Sequence, residues 1–140
     1  MKTATPVKMA GCIIMDAEGD VLVMHRKTAR ATHWELPGGK IELGETAEEA
    51  AVRELGEELG VDVKLTRKVG ERVCDEVDYS LHFEWFLAEI TAGEPRLLEP
   101  VFDKFGFLSP ITLTRRYDEL SPGLKSFLEA VAYGKIDLAI

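Results

Sequence analysis

The stretch "RELGEELG" places three glutamates, Glu54, Glu57 and Glu58, within five consecutive positions. On a helix turning about 100° per residue they gather on one edge, with Arg53 in front and Gly60 behind. Like charges at i,i+3 and i,i+4 cost a helix about 0.2–0.5 kcal/mol per pair, so Glu54–Glu57 and Glu54–Glu58 need a reason to be neighbours. Taken alone, such a trio reads as a solvated acidic face. Two features point elsewhere. Pro37-Gly38-Gly39 and the loop bearing Gly44 let backbone carbonyls approach the same spot, and Arg53 stands at the edge of the cluster. Clustered carboxylates and carbonyls are hard oxygen ligands suited to Mg2+ or Mn2+. Such ions bind phosphate oxygens, activate water and neutralise a leaving phosphate.

The carboxylates require a helix. Thr46 followed by Glu49 fits a capping box, Gly60 fits a C-terminal stop, and Val52, Leu55 and Leu59 are expected on one side with the glutamates on another. Residues 9–15 and 21–24 are expected as strands joined in a hairpin by "DAEGD". "HRKTARATH" (25–33) reads as a basic loop, and 34–36 as a short extended piece ending at the Pro-Gly-Gly break. Strands are expected at 61–69, 72–77, 81–90 and 105–108, with Leu81, Phe83, Trp85 and Leu87 alternating along one face. Ser121-Pro122 opens a closing amphipathic helix over "GLKSFLEAVAYG". Strands before, around and after a central helix predict an α/β chain, a mixed sheet packed between helices.

The 140 residues suit one domain spanning 1–140, with no repeat, linker or low-complexity segment. Seventeen basic against 25 acidic residues give a net charge of −8. That balance argues against broad binding to nucleic acid or to an anionic membrane. It leaves a phosphate ligand open, because a bound cation reverses the sign locally. Cys12 and Cys74 read as free thiols in a reducing compartment, which is the expectation of a cytoplasmic protein. The apolar run 9–15 is too short to span a membrane and lacks a signal-peptide cleavage pattern. The chain contains neither Asn nor Gln, so no side-chain amide can read a ligand.

The full pattern is sharper than the glutamate trio. Gly39, Glu45 and the run Arg53-Glu54-Leu55-Gly56-Glu57-Glu58-Leu59-Gly60-Val61 match G-x5-E-x7-R-E-U-x-E-E-x-G-U, where U is aliphatic. This resembles the signature of the Nudix hydrolases, and "WELPGGKIELGETAEEAAVRELGEELGV" is similar to its MutT-type members. The resemblance implies an α/β/α sandwich that uses Mg2+ or Mn2+ to hydrolyse a nucleoside diphosphate linked to a further group. By position it implies Glu54, Glu57 and Glu58 as metal ligands, joined by a main-chain carbonyl at Gly38 or Gly39. Arg53 would orient them through charge-assisted hydrogen bonds, with Glu45 as its partner. Glu99, six residues after Gly93 of the "GEP" turn, would be a further metal ligand or general base; its plainer reading is a surface charge. Glu57 or Glu58 is expected to take the proton of the attacking water, with Glu99 and Glu54 as rivals.

Arg26 falls where MutT-type members contact phosphate, and Tyr79 where dinucleoside polyphosphate members carry a tyrosine. Asp103, beside Phe102 and Phe105, is a candidate base-reading group. Each has a plainer reading, as a loop charge, a strand-edge tyrosine and a loop aspartate. MutT-type members read oxidised guanine with an asparagine in their last segment, and the corresponding "DELSPGLKSF" has none. ADP-ribose members carry a proline beyond the signature, where this chain has none between Pro37 and Pro95. A small-molecule nucleotide substrate is expected, most simply a nucleoside triphosphate cleaved to monophosphate and pyrophosphate. A dinucleoside polyphosphate or a nucleotide sugar is the alternative, and homodimers are common in the family. A catalytically silent nucleotide-sensing or protein-binding domain is a reading of another class; degenerate members lose signature glutamates or the arginine, and here all remain. Gly39 to Gly44 has the glycine spacing of a P-loop, but Glu45 stands where its lysine is needed. His25, His33 and His82 lack metal-ligand spacing, and Trp34, Phe83 and Trp85 read as packing residues.

Overall fold

A computed structural model describes residues 6–139. Strands β1 (Val7–Ile13), β2 (Val21–Lys27), β3 (Thr32–Glu35) and β4 (Gly38–Lys40) precede helix α1 (Ala47–Leu59). Strands β5 (Asp62–Asp75), β6 (Ser80–Ala92) and β7 (Phe102–Leu108) follow it, then α2 (Pro110–Arg115), a 3-10 turn at Tyr117–Glu119, and α3 (Pro122–Ala132). One sheet has the order β4-β1-β6-β5 and the other β3-β2-β7. The β1–β6 pairing is parallel and every other ladder antiparallel.

Strand alternation distributes the apolar side chains between two cores. Ala10 and Cys12 of β1, Leu22 and Met24 of β2, and Phe86 and Ala88 of β6 join Ala50, Ala51, Leu55 and Leu59 of α1. The intervening positions, Ile13, Val21, Val23, Trp85 and Leu87, join Leu124, Phe127 and Leu128 of α3. Strands buried on both faces between helices are the expected α/β/α sandwich with a mixed sheet. Trp34 is buried in the α3-side core, as its packing reading requires. Cys12 and Cys74 are both free and buried.

Several local expectations change. The turn at 16–20 forms, with Asp16 Oδ1 accepting from the amides of Glu18 (3.0 Å) and Asp20 (2.9 Å). Beyond the Met15–Val21 bridge, however, β1 and β2 diverge into separate sheets instead of making a hairpin. Residues 25–33 are not a loop. β2 runs to Lys27 and β3 starts at Thr32, pairing His25 with Trp34 and Arg26 with His33, so only the tight turn between them is irregular. Segments 61–69 and 72–77 are one strand, β5, whose pairing with β6 shifts near Leu65 and again near Gly70. β7 begins earlier than residue 105, at Phe102, and α2 was not expected.

Helix α1 has the expected capping box, with Thr46 accepting from the Glu49 amide, and Gly60 closes it in the left-handed conformation. Its orientation differs from the expected one. Val52 is 39% exposed, whereas Glu58 is 3% exposed. The buried face is Ala47, Ala50, Ala51, Leu55 and Leu59, with Glu58 beside them. Small alanines let the helix sit close to the sheet, and that contact selects the flank carrying Glu58.

Leu55→Ala should therefore cost about 2–5 kcal/mol in urea unfolding, while Val52→Ala should stay within about 1 kcal/mol. Equal losses would contradict this orientation of α1.

Candidate active site

The site begins where β4 meets β1. The ladder sets Gly38 opposite Gly11 and Gly39 opposite Ala10, and the Cys12 amide donates to the Pro37 carbonyl (3.0 Å). Helix α1 lies against this segment so closely that a Cβ at Gly39 would stand 2.4 Å from Glu54 Cδ. A Cβ at Gly38 would stand 2.2 Å from the Ala10 oxygen. With both positions bare, the Gly38 amide donates to Glu58 Oε1 at 2.8 Å.

Arg53 organises the outer side of the cluster. Its Nε donates to Glu45 Oε2 (2.7 Å) and its Nη2 to Glu45 Oε1 (3.0 Å) and the Lys40 carbonyl (3.0 Å). Its Nη1 donates to Glu54 Oε1 (3.1 Å) and to both oxygens of Glu57 (3.1 and 3.0 Å). The guanidinium thus offsets the repulsion among the signature acids. It also holds the Glu45 carboxyl down to about 2, helped by the Glu42 amide. The pairing of Arg53 with Glu45 is the one expected from the sequence.

Glu58 lies outside that web. Burial pushes its carboxyl up to about 9, and the charges of Glu54, Glu35 and Glu99 push the same way, against the opposing bond from the Gly38 amide. Glu54 is also raised, first by burial, although Arg53 partly counters it. Glu99 reaches the same cleft on a loop that caps α1. The Leu98 amide donates to the Glu58 carbonyl (3.1 Å) and the Arg96 amide to the Leu59 carbonyl (3.0 Å), two of the carbonyls a helix end leaves free. Gly93 permits this docking, since a Cβ there would stand 2.7 Å from the Gly60 oxygen.

The cleft, about 440 Å³, brings together Arg26, His33, Glu35, Gly38, Gly39 and Lys40 with Glu54, Glu58 and Glu99. Tyr79, Leu81 and Phe83 line it further along, with Gly123 of α3 nearby. Phe83 serves as both wall and packing residue, its ring stacked on Trp85 at 5.6 Å between centroids. Three expected site residues are not among those lining the cleft: Arg53, which lies on its outer side, Glu57 and Asp103. Glu57 sits on the outer rim, half-exposed in the grip of Arg53. Asp103 lies on β7, where its carboxylate meets His25 Nδ1 at 2.6 Å; that bond holds the Asp103 carboxyl below its ordinary value.

Glu35 went unnoticed in the sequence, and His33 was considered only as a metal ligand and set aside. His33 Nε2 lies 2.8 Å from Glu35 Oε2, and Arg26 donates to the same carboxylate from Nη2 (2.8 Å) and Nε (3.2 Å). Burial raises the Glu35 carboxyl, but the bonds from His33 and Arg26 outweigh it and leave the group below its ordinary value. The signal was the two-residue spacing of His33 and Glu35, visible only once 25–33 is read as paired strands.

The residues present fit a hard divalent cation. Glu58 is buried with the Gly38 amide as its one hydrogen-bond partner among the described residues, and the carboxyl groups of Glu54 and Glu99 line the same cleft. Among the described residues, no three His, Cys, Asp or Glu side chains form a ready-made cage. Arg53 instead draws Glu54 and Glu57 to itself.

The family model described as NUDIX domain matches residues 5–131. A putative 8-oxo-dGTP diphosphatase of Bacillus subtilis is 37% identical over 82 residues, 59% of this chain and 52% of that protein. An RNA pyrophosphohydrolase of Roseobacter denitrificans is 36% identical over 74 residues, 53% of this chain and 46% of that protein. The chain thus spans about half the length of these curated relatives. The crystal structure of the MutT protein from Methanosarcina mazei shares the fold with a TM-score of 0.80 at 19% identity, covering 96% of this chain and 99% of that one. Among the described residues, no helix is long and apolar enough to cross a membrane.

The electrostatics of Glu58 give a signed expectation for the protein in excess chelator. A glutamate in the unfolded chain titrates near 4.5 and the folded group near 9, so between those values the folded state binds the extra proton. Stability should therefore fall as pH rises across that window. Glu58→Gln should flatten the decline in urea unfolding followed against pH. A decline equally steep in the variant would contradict the assignment.

Proposed function

The chain belongs to the NUDIX family, and we propose that it hydrolyses the phosphoanhydride of a nucleoside diphosphate linked to a further group. A nucleoside triphosphate, cleaved to the monophosphate and pyrophosphate, is the favoured substrate. The observation that carries the reading is the arrangement of charge in one cleft. Glu54, Glu58 and Glu99 share it with the cations Arg26 and Lys40 and with His33, and Tyr79, Leu81 and Phe83 line it as well. Cations suit a polyphosphate and apolar side chains suit a base.

Glu54, Glu58 and Glu99, with Glu57 and the Gly39 carbonyl, would hold Mg2+ or Mn2+. Bound there, the ion supplies charge neutralisation at phosphate and a lower pKa for water. The protein's own groups do the rest. Arg26 binds phosphate oxygens. Arg53 fixes Glu54 and Glu57, and Glu45 fixes Arg53. Glu58, which lines the cleft, is the favoured group to take the proton of an attacking water, with Glu57, Glu54 and Glu99 as rivals. Phe83, backed by Trp85, offers a surface on which a base can stack. No side-chain amide exists to read that base. The names of relatives support a free nucleotide or an RNA as substrate; the net charge of −8 favours the former. The two free thiols accord with a cytoplasmic setting.

The test is Mg2+-dependent turnover, followed as nucleotide products and pyrophosphate resolved by chromatography, across canonical, oxidised and methylated nucleoside triphosphates, dinucleoside polyphosphates, nucleotide sugars and a triphosphorylated RNA. Turnover should be greatest on a triphosphate, and Glu58→Gln should lower kcat about 10²–10⁴-fold. Near wild-type kcat in both Glu57→Gln and Glu58→Gln would overturn the assignment. An intact fold with no turnover on any of these substrates would favour the silent binding domain.

A further inference from the structure

Arg26 and its neighbours in the cleft have an architecture of their own. Arg26 and His33 stand directly opposite each other in the β2–β3 ladder, where facing Cβ atoms lie about 4.5–5.5 Å apart. Glu35, two residues beyond His33, shares that face. One carboxylate therefore meets both neighbours. Oε1 accepts from Arg26 Nη2 (2.8 Å), and Oε2 accepts from Arg26 Nε (3.2 Å) and faces His33 Nε2 (2.8 Å). A carboxylate has no proton to give at this contact, so His33 carries its hydrogen on Nε2.

The Glu35 side chain is 17% exposed, so its three contacts are formed largely away from water. Arg26 also rests against an aromatic face, its guanidinium carbon 4.7 Å from the Phe102 ring centroid. The two-pronged bond uses Nε and Nη2 of Arg26 and leaves Nη1 without a protein acceptor among the described residues. Glu58 and Glu99 act on the same guanidinium through space. Released from Glu35, Arg26 would be drawn towards those acids.

We infer that Glu35 is a positioning residue: braced by His33 on one side, its carboxylate clamps Arg26 in place for the polyphosphate and keeps Arg26 off Glu58 and Glu99. The inference rests on the proposed phosphoanhydride substrate. It adds that affinity for the charged tail depends on a carboxylate that carries the wrong sign to touch it. Glu35→Gln preserves size but leaves one accepting oxygen and adds an NH2 donor. The amide cannot serve all three N–H groups, and it has no charge to hold the guanidinium.

The probe is inorganic pyrophosphate, which carries the charge without a base. Its binding with Mg2+ present is measured by calorimetry on wild type, Glu35→Gln, Arg26→Ala and the double variant, alongside KM for the best nucleotide. Glu35→Gln should weaken pyrophosphate binding about tenfold, the scale of one charge-assisted hydrogen bond, with a matching rise in KM. In the Arg26→Ala background it should add little, because its effect passes through Arg26. Fully additive losses, unchanged pyrophosphate affinity, or a fall in kcat with KM unmoved would each overturn the clamp. If Glu35→Gln does not fold, Arg26→Lys takes its place; it keeps the charge but loses the fork, and wild-type affinity there is equally fatal. The binding measurements need no turnover, so they judge the clamp even if no nucleotide is hydrolysed.

Discussion

A carboxylate removed from water carries a penalty of several kcal/mol unless N–H donors or a cation replace the solvent. Glu58 meets that constraint with one amide, from Gly38. The contact joins the last turn of α1 to the strand pairing of β4 with β1, and the neighbouring features follow from it. Gly39 must lack a side chain so that the helix can approach, and Gly38 must lack one so that β4 can lie against β1. The carbonyls at the end of α1 must then be satisfied by the loop that brings Glu99 into the cleft. What remains is an acid with more negative charge around it than positive, which is the electrostatic condition for recruiting a divalent ion.

Two arginines handle the remaining charge, one on each side. Arg53, outside, gathers Glu45, Glu54 and Glu57 and turns a repulsive helix edge into a fixed array. Arg26, inside, is held by Glu35 and keeps one nitrogen available to the cleft. A chain of net charge −8 thereby keeps an arginine oriented within an acidic cleft, where it would meet the proposed polyphosphate. Acids and cations are kept apart by geometry, since without their separate partners they would neutralise each other.

Much of this was legible in the sequence where the determinants are local. The capping box, the glutamate spacing, Gly39 and the Arg53–Glu45 pair all lie within a short stretch, and the structure brings them together as spaced. The face of α1 was not legible. Val52 and Glu58 lie three residues either side of Leu55, hence about 60° to either side of it around the helix. Hydropathy selects Val52 for burial, whereas packing of the small residues Ala47, Ala50 and Ala51 selects Glu58. Glu35 and His33 were hidden for a different reason. Their strands line a cleft and carry polar residues, so the alternation that marks a strand is missing from 25–33. Glu99 could be found only by resemblance, because it reaches the site through main-chain bonds that side-chain patterns do not encode.

The central claim is that Glu58 holds a proton in place of a cation. Its most direct test is calorimetric titration of the protein with Mg2+ near neutral pH, in buffers of different ionisation enthalpy, which counts the protons released. Wild type should release about one proton per ion bound, and Glu58→Gln should release almost none. Binding without proton release, or equal release from both proteins, would contradict it.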